Sequence, residues 1–151
     1  MSISPIIRSA EANDCVAMHQ LIEELAHYEK APQEVISSPE ILEHALFSNK
    51  AVAKAWVAVV DNKVVGMAIC YVRYSTWKGP CLYLEDLVVT ETQRQKGIGS
   101  QLFEACKQYA SGQKYHRMVW QVLDWNTPAI EFYKKYSADF ESGWLNAWVN
   151  L

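Results

Sequence analysis

Residues 87–100 read Leu87-Val88-Val89-Thr90-Glu91-Thr92-Gln93-Arg94-Gln95-Lys96-Gly97-Ile98-Gly99-Ser100. The β-branched apolar residues at the start predict the end of a strand. A polar loop follows, and the chain then predicts a helix from the two glycines onward, because apolar residues recur at helical spacing at Leu102, Phe103, Cys106 and Ala110. The backbone N–H groups of a first helical turn lack internal partners and lie at the positive end of the helix dipole. The segment therefore predicts an anion site, most often one for phosphate or pyrophosphate.

Three kinds of phosphate-binding loop share features with this segment. A Walker loop needs Gly-Lys-Ser/Thr after its glycines, which is missing here. A Rossmann loop needs a third glycine where Leu102 stands, and its strand leads directly into the glycines. The pattern Arg/Gln-x-x-Gly-x-Gly/Ala is met at Arg94, Gly97 and Gly99. It resembles the acetyl-CoA loop of the GNAT superfamily of N-acetyltransferases, although the glycines alone also fit a helix start that binds nothing.

Composition places the chain among soluble globular proteins. Its 151 residues suit one domain, 1–151, with half of the residues hydrophobic and 21% charged. No apolar run is long enough for a membrane span, and the first residues lack a signal peptide pattern, so we expect a cytoplasmic protein. A net charge of −3 disfavours nucleic acid. The four cysteines and four histidines show no metal-ligand spacing, so we expect no metal and cysteines that pack as small core residues.

The order of elements predicts an α/β fold with a mixed, mostly antiparallel central sheet flanked by helices. Predicted strands cover residues 3–8, 52–60, 63–74, 82–89, 117–123 and 143–149. Asp61-Asn62 predicts a tight turn and Trp77-Lys78-Gly79-Pro80 a second one, so the second to fourth strands form an antiparallel meander. Predicted helices run from Asn13 or Asp14 to about His27, from the Ser38 cap to about Phe47, from the glycine loop to about 112, and from Asn126 or Thr127 to about Tyr136.

A second motif lies one helix and one strand after the glycine loop. The residues Asn126, Ala129 and Tyr133 fit the pattern Asn-x-x-Ala-x-x-x-Tyr, which resembles the second conserved block of the same superfamily. Further segments resemble the diamine (spermidine/spermine) acetyltransferases over residues 7–144. Those at 75–79 and 123–126 are most similar to the thialysine N-epsilon-acetyltransferase branch. Ser75 stands where polyamine-specific members carry an aspartate, which favours a lysine-like amine.

The resemblance implies a cofactor, a set of site residues and an assembly. The cofactor is acetyl-CoA, and these family members work as homodimers. The residues implied to bind it are Leu87, Val88, Val89, Arg94, Gln95, Lys96, Gly97, Ile98, Gly99, Ser100, Asn126, Thr127, Pro128, Ala129 and Tyr133. Those implied to contact the amine are Tyr28, Glu29, Ser75, Trp77 and Glu85. Asn126 otherwise only caps its helix, and Tyr28 and Glu29 otherwise form a solvated helix end.

Two residues are candidates for proton transfer. Strand alternation places Glu85 on the face of Tyr83 and Leu87, with Asp86 on the opposite face, so one carboxylate is expected to point inward. Glu85 is the predicted base, directly or through water, unless it forms a structural ion pair. Tyr133 is the predicted acid, because its phenol carries a proton at pH 7 and can donate it to a departing thiolate, unless the ring only packs in the core.

The predicted reaction is direct acetyl transfer from acetyl-CoA to a primary amine of a small cationic substrate. Thialysine, a lysine-like amine, or a diamine or polyamine would fit this chemistry. Two alternatives stay open: an acetyltransferase for proteins or peptides, and a non-catalytic sensor that binds acyl-CoA.

Overall fold

The computed structural model describes residues 3–151, and within them it has five strands and four α-helices. The strands are β1 (Ile6–Ser9), β2 (Lys54–Val60), β3 (Lys63–Ser75), β4 (Gly79–Val89) and β5 (Met118–Val119). The helices are α1 (Cys15–Tyr28), α2 (Pro39–Phe47), α3 (Ile98–Gly112) and α4 (Thr127–Lys134). One sheet has the order β1-β2-β3-β4-β5, antiparallel except where β5 joins β4 in parallel. The predicted fold class is confirmed.

The meander forms as its turn residues predict. Asp61 and Asn62 have φ angles of 50° and 60°, the left-handed values that a two-residue hairpin turn requires at both central positions. The second hairpin is longer than predicted, because Gly79 already pairs with Ser75. These two turns set the antiparallel register of β2, β3 and β4.

The start of α2 is also as predicted, since Ser38 Oγ accepts a hydrogen bond from the Ile41 amide at 3.2 Å and Pro39 takes the first helical position. The helix is only partly buried. Ile41 is 58% exposed, and Leu46 is the α2 residue that is fully buried. The helix packs mainly against α1, and Leu46 joins the core that α1 shares with the sheet.

Helices cover both faces of the sheet. The residues packed together on the α1 and α2 side are Cys15, Met18, Leu21, Leu46, Ala55, Val57, Met67, Ile69 and Val88. On the opposite face α3 contributes buried Leu102 and Cys106, and Cys106 Sγ lies 3.4 Å from Cys70 Sγ. All four cysteines are buried free thiols, which confirms their predicted role as small core residues.

The chain divides into two compact units, the first extending to Gln121 and the second comprising residues 122–151. The expectation of one domain therefore stays a prediction. Along residues 3–151, no helix combines the length and apolar character needed to cross a membrane.

The carboxyl-terminal prediction is wrong. Within the described residues no strand follows β5, so the strand predicted at 143–149 does not form, and the one predicted at 117–123 shrinks to two residues. Trp144, Leu145, Trp148 and Val149 are all more than four-fifths exposed. A strand is stabilised by an edge to pair with, and an apolar segment alone does not supply one.

Candidate active site

The glycine loop leaves β4 through a short 3-10 turn, Glu91–Gln93, and enters α3 at Gly97. Gln95 and Gly97 have left-handed φ angles of 62° and 79°. Gly97 takes the cap position with no side chain to offer, and no described atom lies within 4 Å of where its Cβ would be. The positive end of a 15-residue helix thus opens onto space, which fits an anion such as a diphosphate.

Two cations lie on this loop. Lys96 Nζ donates to the side-chain oxygen of Gln93 at 3.1 Å. Arg94 is more constrained: its Nε donates to the Val89 carbonyl oxygen at 2.9 Å, and its guanidinium carbon lies 5.3 Å from the ring centre of Tyr28. The cation–π contact connects the loop to the last turn of α1.

Glu24 holds the entrance of the loop from α1. One of its carboxylate oxygens accepts from the Thr90 hydroxyl and the other from the Glu91 amide, both at 2.9 Å. Arg94 Nη2 lies 3.7 Å from the second oxygen. The carboxylate therefore contacts the loop at three points.

The sheet opens beside β4. Within residues 3–151, β5 pairs with β4 only at Leu82 and Tyr83. The main chain of Leu87, Val88 and Val89 thus pairs with β3 on one side, whereas the β5 ladder on the other side has already ended. Along Leu87, Val88 and Val89 this edge of β4 therefore has no β5 partner within the described residues.

A bulge interrupts β4 at Glu85. Leu84 pairs with Cys70 and Asp86 with the neighbouring Ile69, so Glu85 is an extra residue with no partner. Paired residues share a face, and Asp86 therefore lies on the Ile69 side, the side of α1. The predicted alternation is wrong on one point, because the bulge puts Asp86 on the same face as Tyr83 instead of the opposite one.

The inward carboxylate is Asp86, while Glu85 is exposed. Burial, with smaller contributions from the nearby charges of Glu85 and Glu29, raises the pKa of Asp86 to about 7. Burial also raises the pKa of Glu29, which follows the last residue of α1. Sequence analysis missed Asp86 as a site residue. The only signal for it was the adjacent pair of carboxylates in an otherwise apolar strand.

Two tyrosines flank Glu85. Tyr71 and Tyr83 are cross-strand partners with ring centres 5.0 Å apart. Burial raises the pKa of both phenols, and the charge of the nearby Glu85 carboxylate adds to the effect. Neither tyrosine was predicted as a site residue, although both place protonated hydroxyls near the bulge.

Ser75 and Trp77 lie at the far end of the β3–β4 hairpin. Ser75 Oγ accepts from the Lys78 amide at 3.2 Å, and Trp77 is 92% exposed. From Gly79 to Glu85 the strand advances six residues, about 20 Å at a rise of about 3.3 Å per residue. The structure thus separates these two predicted substrate contacts from Glu85 and Glu29 within one chain.

The second unit holds the other predicted site residues. Asn126 is buried, and its Oδ1 accepts from the Ala129 amide at 3.3 Å, so it caps α4 with Thr127 and Pro128 in the first turn. Tyr133 is also buried and lies edge-on to Phe132, with ring centres 5.2 Å apart. Both the capping and the packing alternatives therefore hold for these side chains, whatever else they do.

The sequence model of the Acetyltransferase (GNAT) family matches residues 17–137. The chain belongs to this family. It is 36% identical to the thialysine N-epsilon-acetyltransferase of Bos taurus over 141 residues, which cover 88% of this chain and 83% of that protein. It is 31% identical to a spermidine/spermine N(1)-acetyltransferase-like protein 1 of Homo sapiens, over 91% of this chain and 21% of that one. This GNAT protein is an N-acetyltransferase that acts on amines.

Solved structures show the same fold. An aminoglycoside acetyltransferase from an uncultured soil metagenomic sample, in complex with sisomicin, superposes with a TM-score of 0.78 at 24% identity, covering 97% of this chain and 96% of that one. An integron cassette protein from the mobile metagenome of V. cholerae gives the same TM-score at 26% identity, with 98% and 94% covered. These matches support the fold of this chain and do not indicate its substrate.

Proposed function

We propose that this GNAT enzyme transfers acetyl directly from acetyl-CoA to the primary amine of a small cationic substrate, a thialysine- or lysine-like amine or a diamine or polyamine. One observation carries the proposal: the glycine loop is joined to an acidic cluster through the last turn of α1. Arg94 of the loop lies against Tyr28. Glu29 is the next residue, and its charge contributes to the raised pKa of Asp86. An anion site and a cation site are thus built on neighbouring residues.

Acetyl-CoA would supply an activated thioester when bound. The backbone from Gln95 to Ser100 would hold its diphosphate, with Arg94 and Lys96 adding positive charge. The left-handed Gly97 and the open space around it support this. The main chain of Leu87, Val88 and Val89 would pair with the pantetheine arm as an added strand, and the early end of the β5 ladder supports that. We assign Asn126 and the first turn of α4 to the cofactor on their match to the second motif block alone.

The amine arrives as an ammonium, since a lysine-like amine has a pKa of ~10.4, and it must lose a proton before it attacks. Asp86 is suited to accept that proton, because a base is most effective when its pKa is near the working pH, and the pKa of Asp86 is about 7. Glu85 is the other candidate, at the bulge and accessible to water. An ammonium bound among Glu29, Glu85 and Asp86 would also relieve the cost of their mutual repulsion.

Tyr133 is proposed to protonate the departing thiolate, because its phenol holds its proton at neutral pH. Its burial keeps the hydroxyl away from bulk water, and the match to the second block supports the assignment. Tyr133→Phe should lower kcat with little change in the affinity for acetyl-CoA.

We further propose a homodimer, in which a second copy brings Ser75 and Trp77 to the amine. The hairpin geometry supports this, because residues about 20 Å from Glu85 along β4 cannot contact the same small amine from one chain. The exposure of Trp77 is consistent with a surface that a second copy covers. Light scattering should give the mass of two chains. The cytoplasmic location stays a prediction.

The test is acetyl-CoA consumption with purified protein over thialysine, lysine, ornithine, putrescine, spermidine, spermine and a lysine-containing peptide. Turnover on the small amines, with thialysine or lysine ahead of spermine, is the expected result. Turnover on the peptide alone would favour the protein acetyltransferase. Acetyl-CoA binding without turnover on any amine would favour the sensor and overturn the enzymatic proposal.

A further inference from the structure

Glu24 reaches from α1 to a segment 66 residues later in the chain. Its two oxygens accept from the Thr90 hydroxyl and the Glu91 amide at 2.9 Å each. Thr90 occupies the cap position of the 3-10 turn Glu91–Gln93 but makes no side-chain cap there in the described structure. The backbone N–H of Glu91 is instead satisfied from a different helix, so Glu24 caps the turn in place of a local residue.

The same carboxylate lies 3.7 Å from Arg94 Nη2. Both side chains are about two-thirds buried, which makes the pair less screened than a surface ion pair. Arg94 is fixed at two further points, the Val89 carbonyl and the ring of Tyr28. Tyr28 lies one helical turn beyond Glu24 on α1, so a single helix face holds both the carboxylate and the ring that support the cation.

The charge of Glu24 has the wrong sign for the ligand proposed here. A carboxylate beside a diphosphate repels it, so attraction to the cofactor does not explain this residue. Its contacts explain it as a support: they fix the start of the loop and orient Arg94. Neither the superfamily motif nor the predicted site residues include it.

We propose that Glu24 is a positioning residue that holds the acetyl-CoA loop and Arg94 in their binding arrangement. The proposal rests on the proposed function, since it assumes that this loop binds the diphosphate of acetyl-CoA. Removing a negative charge near a diphosphate site would by itself strengthen acetyl-CoA binding, and the proposal predicts the opposite for Glu24. Loss of the Glu24 charge should weaken acetyl-CoA binding, whereas loss of any other nearby negative charge should leave it unchanged or strengthen it.

The test compares Glu24→Gln with Glu23→Gln. The control removes the same charge from the adjacent residue of the same helix. Glu23 is more than half exposed, and its Oε1 lies 3.6 Å from His19 Nδ1. We expect Glu24→Gln to raise the KM and the calorimetric Kd for acetyl-CoA about tenfold, the effect of losing one or two charge-assisted hydrogen bonds. We expect kcat and the KM for the amine to change by less than about twofold. Glu23→Gln should behave as the wild type.

A donor without the diphosphate separates positioning from general damage. With S-acetylpantetheine as the donor, Glu24→Gln should have the kcat/KM of the wild type, because the loop no longer contributes. Thr90→Val removes one of the two hydrogen bonds and should raise the KM for acetyl-CoA by about threefold, and it keeps the test decisive if Glu24→Gln fails to fold. In an Arg94→Met background the Glu24→Gln effect should shrink to the part that comes from the contacts with Thr90 and Glu91.

The proposal is overturned if Glu24→Gln binds acetyl-CoA as tightly as Glu23→Gln, or if it loses the same factor with S-acetylpantetheine. A wild-type protein that gives no heat with acetyl-CoA would instead overturn the proposed function, and this proposal with it.

Discussion

The two halves of β4 differ in every respect that matters for function. From Gly79 to Leu84 the strand follows a regular antiparallel ladder with β3, is joined by β5 at Leu82 and Tyr83, and buries most of its side chains. From Glu85 to Val89 it begins with a bulge, has lost β5 and carries two adjacent carboxylates. One strand thus contributes a core element and, directly after it, an open edge beside charged groups.

The difference shows how a sheet makes room for chemistry. Regular pairing on both edges uses every backbone group and leaves none for a ligand. Ending one ladder frees a row of main-chain donors and acceptors, and the bulge makes Asp86, instead of Glu85, the carboxylate that faces α1. The site is therefore located where the ladder stops, and the first half of β4 supplies the rigidity that holds the second half in place.

The largest expected effect comes from removing the inward carboxylate of the open half. Asp86→Asn should lower kcat/KM by about 10²–10⁴, the usual contribution of a general base, and should remove the limb of the pH–rate profile near pH 7. Steady-state kinetics from pH 5.5 to 9 checks this. Glu85→Gln is the matched variant. If it has the larger loss and Asp86→Asn keeps the limb, Glu85 is the base, as the sequence predicted.

Substitutions in the paired half of β4 should lower the free energy of unfolding and leave the catalytic rate unchanged. Leu82→Ala deletes a fully buried side chain and should cost about 2–5 kcal/mol of unfolding free energy, with kcat unchanged for the folded fraction. Urea denaturation measures the first and assays at 10 °C the second. Val72→Ala, at the cross-strand partner, is the control, because Val72 is half exposed and should cost well under 1 kcal/mol. A lower kcat in folded Leu82→Ala would contradict the view that the first half of β4 supports the core and only the second half takes part in catalysis.

The loop that follows the open half should be sensitive to backbone strain. Gly97→Val places a β-branched residue at φ 79° and should raise the KM for acetyl-CoA about tenfold, with a strain of about 1–2 kcal/mol. Gly112→Ala, at the other end of the same helix and with no atom nearby, should leave KM unchanged. Equal effects at the two ends would mean that Gly97 only begins a helix.

The smallest effect is a pH dependence of stability. The folded pKa of Asp86 is raised from 3.8 to about 7, so between these values the folded state binds more protons than the unfolded state. The free energy of unfolding therefore falls as the pH rises through that window. Asp86→Asn removes this loss and should raise the Tm at pH 8 by about 3 °C, or about 1 kcal/mol. The gain should shrink toward pH 5, and calorimetry at both values checks it. The control is Glu104→Gln, which changes a carboxylate of α3 whose side chain is 43% exposed. A gain of equal size at both pH values would contradict the assignment.

Sequence reasoning succeeded where structure is local. Asp61-Asn62 specifies its own turn, Ser38 and Pro39 specify the start of a helix, and the glycines after Arg94 specify another. Each of these depends on the conformational preferences of a few adjacent residues. The two motif blocks were also sufficient to recognise the family.

Sequence reasoning failed where a structural feature depends on residues far away in the sequence. Whether Glu85 or Asp86 turns inward depends on the register with Ile69 and Cys70, which strand periodicity alone does not contain. The strand predicted at 143–149 had the right side chains but needed an edge. The hydrogen bonds of Glu24 join it to residues 66 and 67 positions later in the chain, and no pattern within α1 predicts them. The roles of the site residues stay predictions for the experiments above.

The unpaired Glu85 has a consequence for how this enzyme can change through insertions and deletions. Leu84 and Asp86 pair with the adjacent residues Cys70 and Ile69, so deleting position 85 would leave Leu84 facing α3 and Asp86 facing α1, as they do now. Deleting a paired residue such as Leu87 would instead move Val88 to the α3 side and reverse the faces of the residues that lead into the loop. Relatives of this chain should therefore be able to lose the bulge residue or differ in length within the hairpin tip at Trp77, and they should keep a constant spacing from Asp86 to Gly97.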